Sequence, residues 1–216
     1  MKNKDYLQYF EPFLLYLVLF FSSVFTKNTV MASFFVSIAI MLNYIIIAIP
    51  QILLILYFFY IKKWNFKDNF TSGSIFKAIF LVMIYTFLLL GISNLLALIL
   101  IKSGIMQNLS KINPIKQLVP LYFLVSIITG YREELFFRAY LTKFFEKTAN
   151  KTLLTISISA MFAICHISQG TGGIIISFIN SMLLCFIFFK HKNIHINALS
   201  HALYNFSVLV IYTFSA

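Results

Sequence analysis

The sequence predicts an all-α protein, a polytopic membrane helix bundle of about seven transmembrane helices. Three observations lead there. The 216-residue chain is 61% hydrophobic and 11% charged, with a mean hydropathy of +0.91, whereas soluble domains are roughly half apolar and about a quarter charged. A core of this size cannot hide that much apolar surface, so lipid is its natural solvent. Polar breaks also divide the chain into runs long enough to cross a bilayer. Finally, the excess positive charge, +11 in all, falls in short clusters between those runs. That is the pattern of loops at a membrane surface, not of a nucleic-acid footprint.

Each span follows from its own borders. Phe10–Phe25 is the first, ended by Lys27 and Asn28; no small-x-small cleavage site follows, so it reads as a retained span and not a signal peptide. Thr29–Ile61 is too long for one straight crossing. It is expected to begin as a short surface segment, to cross from Phe35 to Tyr60, and to kink near Pro50. The polar "KKWNFKDNFTSG" separates it from the third span, Ala78–Ile101, and "KSGIMQNLSKINPIK" follows as a loop. The fourth runs from Gln117 into an amphipathic stretch ending near Thr148. Thr152–Ile167 is the fifth, closed by the glycine-rich "SQGTGG"; Ile174–Phe189 is the sixth and Ile194–Phe214 the seventh. Residues 1–116 are thus expected to supply N-terminal transmembrane helices and 117–216 the functional core of one integrated domain. A cytoplasmic N-terminus puts Lys2, Lys4, Lys62, Lys63, Lys67, Lys77, Arg132, Arg138, Lys143, Lys147, Lys151, Lys190 and Lys192 inside. It leaves only Lys27, Lys102, Lys111 and Lys116 outside, which the positive-inside rule favours.

Chemistry is concentrated in "GYREELFFRAYL", residues 130–141. Of only six acidic residues, Glu133 and Glu134 alone are adjacent. An ionisable group inside a membrane costs about 2.5–3.5 kcal/mol on insertion scales, which makes it a functional candidate by default. Arg138 lies at i+4 from Glu134, His166 near the end of the fifth span, and His201 and Asn205 share one helix face at i, i+4. Glu133 and His166 stand at equal distances from the polar "KTANK" turn, so in an antiparallel hairpin both lie at one depth, about 25 Å from it. Two carboxylates, two imidazoles and a carboxamide then converge, a set able to hydrolyse. A carboxylate beside another in low dielectric moves toward the range of a general base for water. Arginine at i+4 can hold a carboxylate in place, and asparagine beside histidine can donate to an oxyanion.

In this order, "EELFFR" (EExxxR), "FAICH" (FxxxH) and "HALYN" (HxxxN) resemble the CAAX-protease and bacteriocin-processing (CPBP, or Abi) family of intramembrane endopeptidases. The likeness covers residues 117 to 210. It implies that Glu133 activates the attacking water and that His166 helps to position it. Glu134 is then the partner carboxylate with Arg138 as structural counter-ion, and His201 and Asn205 stabilise the oxyanion. The substrate would be a peptide precursor or a lipidated CAAX-type protein, the partners that substrate and membrane lipids, and the setting a bacterial plasma membrane. No nucleic-acid partner is expected. A metal-free mechanism is favoured, since HExxH is absent and the set offers only two histidines; zinc or another divalent ion is the alternative. The rival reading is a non-catalytic bacteriocin self-immunity protein or scaffold of the same fold.

Other polar residues read as structural. Cys165 and Cys185, in apolar runs without CxxC spacing, are expected as buried thiols. Asn180 is expected to hold helices together. His191 and His195, although spaced like a metal pair, fall in the basic "KHKNIH" and read as a solvated loop.

Overall fold

A computed structural model describes residues 6–25, 34–69, 73–106 and 115–215. The surface segment expected at the start of the second apolar stretch, and the basic residues Lys2, Lys4, Lys27 and Lys111, lie outside the described residues. The described chain is an all-α membrane helix bundle without a strand.

Its helices are α1 (Tyr6–Phe25), α2 (Phe34–Ile61), α3 (Ile75–Lys102), α4 (Val119–Glu134), α5 (Leu141–Phe145), α6 (Lys151–Ile164), α7 (Gly170–His191) and α8 (Ile194–Ser215). Residues Leu135–Tyr140 join α4 to α5 as a π-helical segment, making one rod from Val119 to Phe145. Among the described residues, four stretches are long and apolar enough to cross a membrane alone: Ser37–Ile61, Ile75–Lys102, Ile167–His191 and Ile194–Ile211. Bulky apolar side chains such as Leu53, Phe76, Phe80 and Phe87 point outward on α2 and α3, as lipid-facing surfaces must. α6, about 21 Å long at 1.5 Å per residue, is shorter than the roughly 30 Å hydrocarbon layer.

Local sequence sets the borders. Asn150 caps α6, its side-chain oxygen accepting from the Leu153 amide at 2.8 Å. Pro120 sits in the first turn of α4, where its missing N–H costs nothing. Lys192, in the left-handed conformation, ends α7 and turns the chain within two residues into α8. Two expectations need correction here. The sixth span begins at Gly170 and not at Ile174: a short turn at Ile167–Gln169 closes the fifth span and leads straight into α7, with buried Gly172 and Gly173 packed against Met106 and Gln169. His191 and His195 do not lie in a solvated loop either. His191 ends α7 and bonds the Tyr85 hydroxyl at 2.7 Å, while His195 opens α8 and bonds the Tyr131 hydroxyl at 2.7 Å.

The rod α4–α5 occupies the centre. α8 runs along α4 on one side, with α3 and α7 behind it, while α1 and α2 flank the other. Gly130 permits the α4–α8 approach: a Cβ there would stand 2.6 Å from the Ala198 carbonyl oxygen. Small residues bring helix backbones together in this way. Leu15, Tyr16, Leu19 and Phe20 of α1 pack on Phe136 and Phe137 of the π segment, with the Phe20 and Phe137 centroids 4.9 Å apart. Asn180 joins α7 to α3 by donating to the Ser93 hydroxyl at 2.8 Å. Both cysteines are free thiols in buried positions.

Candidate active site

The site is built on the junction where α4 becomes the π segment. There the Leu141 amide bonds the Phe136 carbonyl, five residues back. Such widened turns are rare overall and frequent at functional sites. Arg138 rides in this segment and is completely buried. One terminal nitrogen donates to Glu134 Oε1 at 3.0 Å; the other donates to the Ser181 hydroxyl at 2.7 Å and its carbonyl at 3.2 Å. The guanidinium also lies over the Phe162 ring, 5.0 Å from its centroid.

Glu134 is equally enclosed. Besides Arg138, it accepts from Asn197 Nδ2 at 3.3 Å and from His201 Nδ1 at 2.9 Å. An ionised carboxylate only accepts, so Nδ1 of His201 carries the proton of that bond. The other nitrogen, Nε2, then faces Glu133, whose Oε2 lies 3.7 Å away. His201 thus bridges the two carboxylates. Glu133 has its own arginine: Arg132 donates to its Oε1 at 3.2 Å. Arg132, counted with the cytoplasmic charges, proves to be buried inside the bundle, as is Arg138, the expected counter-ion of Glu134.

His166 lies just beyond α6, half-buried. Its Nδ1 donates to the Phe162 carbonyl at 2.9 Å, which leaves Nε2 with a free lone pair. The Phe162 ring is shared, with centroids 4.7 Å from the His166 ring and 5.7 Å from the His201 ring. The phenylalanine of FxxxH therefore spaces the two imidazoles, and Glu133 is within electrostatic range of His166. Asn205 sits one turn beyond His201, half-buried, with no side-chain hydrogen bond to the described residues.

The structure therefore brings Glu133, Glu134, Arg138 and His201 into direct contact, places His166 across Phe162, and leaves Asn205 a turn away. Sequence reasoning missed the parts played by Asn197, Ser181, Arg132 and Gln51. Asn197 was within reach: Asn197, His201 and Asn205 repeat at i, i+4, i+8 along one face of α8. Among the described residues no three His, Cys, Asp or Glu side chains are arranged to hold a metal ion, and His201 Nδ1 is already turned to Glu134. Two cavities lie away from these side chains. One, of about 400 Å³, is bounded by Phe10, Leu14 and Val18 of α1 and by Leu54 and Phe58 of α2. The other, of about 350 Å³, lies between α2, α4 and the start of α8 beside Tyr131 and His195.

Comparison with known families turns on the same stretch. Residues 115–207 match the family model described as type II CAAX prenyl endopeptidase Rce1-like. Over that stretch, which is less than half of the chain, the sequence is similar to this family. The matched stretch reaches from the turn before α4 well into α8, and all seven residues of the three motifs fall within it. No curated protein and no solved structure matches the chain. With four long apolar helices among its described residues the chain is an integral membrane protein, and its residues 115–207 are similar to a CAAX-protease family.

Proposed function

We propose that this protein is a glutamate-dependent intramembrane endopeptidase. It hydrolyses a peptide bond of a peptide precursor or of a lipidated, CAAX-type protein. The observation that carries the reading is the single imidazole of His201 set between Glu133 and Glu134 in the bundle interior. Glu133 takes a proton from water while the water oxygen adds to the scissile carbonyl carbon. That proton passes to the amide nitrogen as the C–N bond breaks, leaving a new carboxyl and a free amine. His166, with Nδ1 engaged, offers Nε2 to position the water. Glu134, fixed by Arg138 and Asn197, sets the His201 ring as the orienting carboxylate does in a hydrolytic triad. In its doubly protonated form His201 donates from Nε2 to the oxyanion, joined by the free amide of Asn205.

No step is routed through a metal. The protein is proposed to act in a bacterial plasma membrane with its N-terminus in the cytoplasm, its partners being the substrate and the surrounding lipids. Reconstituted protein dialysed against strong chelators should still cleave a prenylated CAAX-type peptide or an unmodified membrane peptide, as read by mass spectrometry. Stoichiometric zinc whose removal abolishes cleavage and whose return restores it would refute the metal-free account.

One observation favours a second reading, a bacteriocin self-immunity protein or scaffold without catalysis: the cavities beside α2 are lined by neither Glu133 nor Glu134. A Glu133→Gln variant that keeps full protection in a bacteriocin-challenge assay would select it.

A further inference from the structure

The three motifs leave Arg132 without a task, yet it is held from four sides. It is 8% exposed, and its guanidinium lies between the Phe20 ring of α1 and the Tyr44 ring of α2, 5.0 and 5.2 Å from their centroids. One terminal nitrogen donates to Glu133 at 3.2 Å and the other to Gln51 Oε1 at 3.1 Å. Gln51 in turn donates from Nε2 to the carbonyls of Val18 and Leu19 on α1, at 3.4 and 3.2 Å. A solvated arginine at a helix end needs none of this. A guanidinium this deep is retained only when paired, hydrogen-bonded and stacked.

The two adjacent glutamates therefore have two separate arginines with different surroundings. Arg138 belongs to a closed set in which both oxygens of Glu134 have partners. Arg132 takes one oxygen of Glu133 and leaves the other facing His201. We infer that Arg132, anchored by Gln51, is a positioning residue for Glu133: it holds the carboxylate turned toward His201 and sets a fixed positive charge beside it. Helices α1 and α2, which lie before the family match, are then part of the working site. This inference rests on Glu133 being the base proposed above.

A cation within about 4–6 Å favours the charged form of a carboxylate, and removing it makes protonation easier. The groups around Glu133 come from every helix packed there. They are Tyr44 and Gln51 of α2, Phe20 of α1, Cys165 and His166 beyond α6, and His201 of α8, with Arg132 supplying a permanent charge. A base must be ionised to act, so without Arg132 the acid limb of kcat/KM moves to higher pH.

The test is the pH profile of kcat/KM for a prenylated CAAX-type peptide, with reconstituted wild type, Arg132→Gln and Gln51→Leu, each checked for an unchanged unfolding midpoint. The expected result is an acid limb displaced upward by about one pH unit in Arg132→Gln and by less in Gln51→Leu. Profiles that superimpose on wild type after scaling by a constant would overturn the inference, since a purely structural arginine lowers the rate without moving the limb. Should Arg132→Gln fail to fold, the Gln51→Leu profile decides alone. Glu133→Gln in the same assay separates the two claims: turnover by that variant removes the base itself, whereas its inactivity beside an unmoved limb removes only the role of Arg132.

Discussion

Glu134 and Arg138 are both fully buried, and each is the other's ion-pair partner. Removing one member of such a pair strands a charge in low dielectric, at a cost of about 3–5 kcal/mol. Arg138→Met should therefore lower unfolding stability in detergent by that amount; a change near zero would mean that Glu134 finds another partner or is neutral. The two asparagines of α8 should part company. Asn197 bonds both Glu134 and the Leu184 carbonyl, so Asn197→Ala should cost about 1–3 kcal/mol of stability. Asn205 bonds no described residue, so Asn205→Ala should leave stability unchanged and lower kcat by about 10²–10³-fold, the effect of losing one oxyanion donor. Equal stability losses in the two variants would contradict this division. Spacing revealed Arg138 and the His201 face, because i, i+4 geometry follows from helical periodicity alone. It did not reveal Arg132. Whether a residue beside a buried one also points inward depends on the neighbouring helices, here Phe20, Tyr44 and Gln51, from regions far away in sequence.

Among the elements, the α4–α8 contact decides the site, because α4 carries both glutamates and α8 carries His201. Gly130 sets that distance. A Cβ at 130 meets backbone, the Ala198 carbonyl oxygen at 2.6 Å, and backbone cannot swing aside as a side chain would. Gly130→Val should push the helices apart, costing about 1–3 kcal/mol as overpacking does, and should reduce cleavage through the displaced His201. Unfolding and cleavage measured together would check this; a variant matching wild type in both would show that the contact has slack. The long apolar helices were legible from hydropathy: α3 and α8 extend only slightly past their expected ends. The start of α7 was not. Glycines signal a break from local preference, but the packing of Gly172 and Gly173 against Met106 and Gln169 overrides that preference. The π segment likewise left no mark in the hydrophobic pattern, since one extra residue per turn hardly changes which positions are apolar.

For the whole molecule, the sequence legibly gave a membrane bundle, because outward apolar surface on α2 and α3 has no other solvent. Removing Arg132 and Arg138 from the surface charge leaves the bias intact. Lys62, Lys63 and Lys67 between α2 and α3, and Lys143, Lys147 and Lys151 around the α5–α6 turn, still share one side in the proposed orientation. In intact cells, a membrane-impermeant maleimide should label Ser103→Cys, beyond the end of α3, and spare Lys63→Cys, beyond the end of α2. The reverse pattern would invert the orientation.

The central claim is that Glu133 activates water for peptide-bond hydrolysis inside this bundle. Its most direct test is single-turnover cleavage of a prenylated CAAX-type peptide by purified, reconstituted wild type and Glu133→Gln, with both products identified by mass spectrometry. The account predicts cleavage by wild type and a loss of about 10²–10⁴-fold in Glu133→Gln, the usual contribution of a general base, with the unfolding midpoint preserved. Cleavage by Glu133→Gln at the wild-type rate would contradict it.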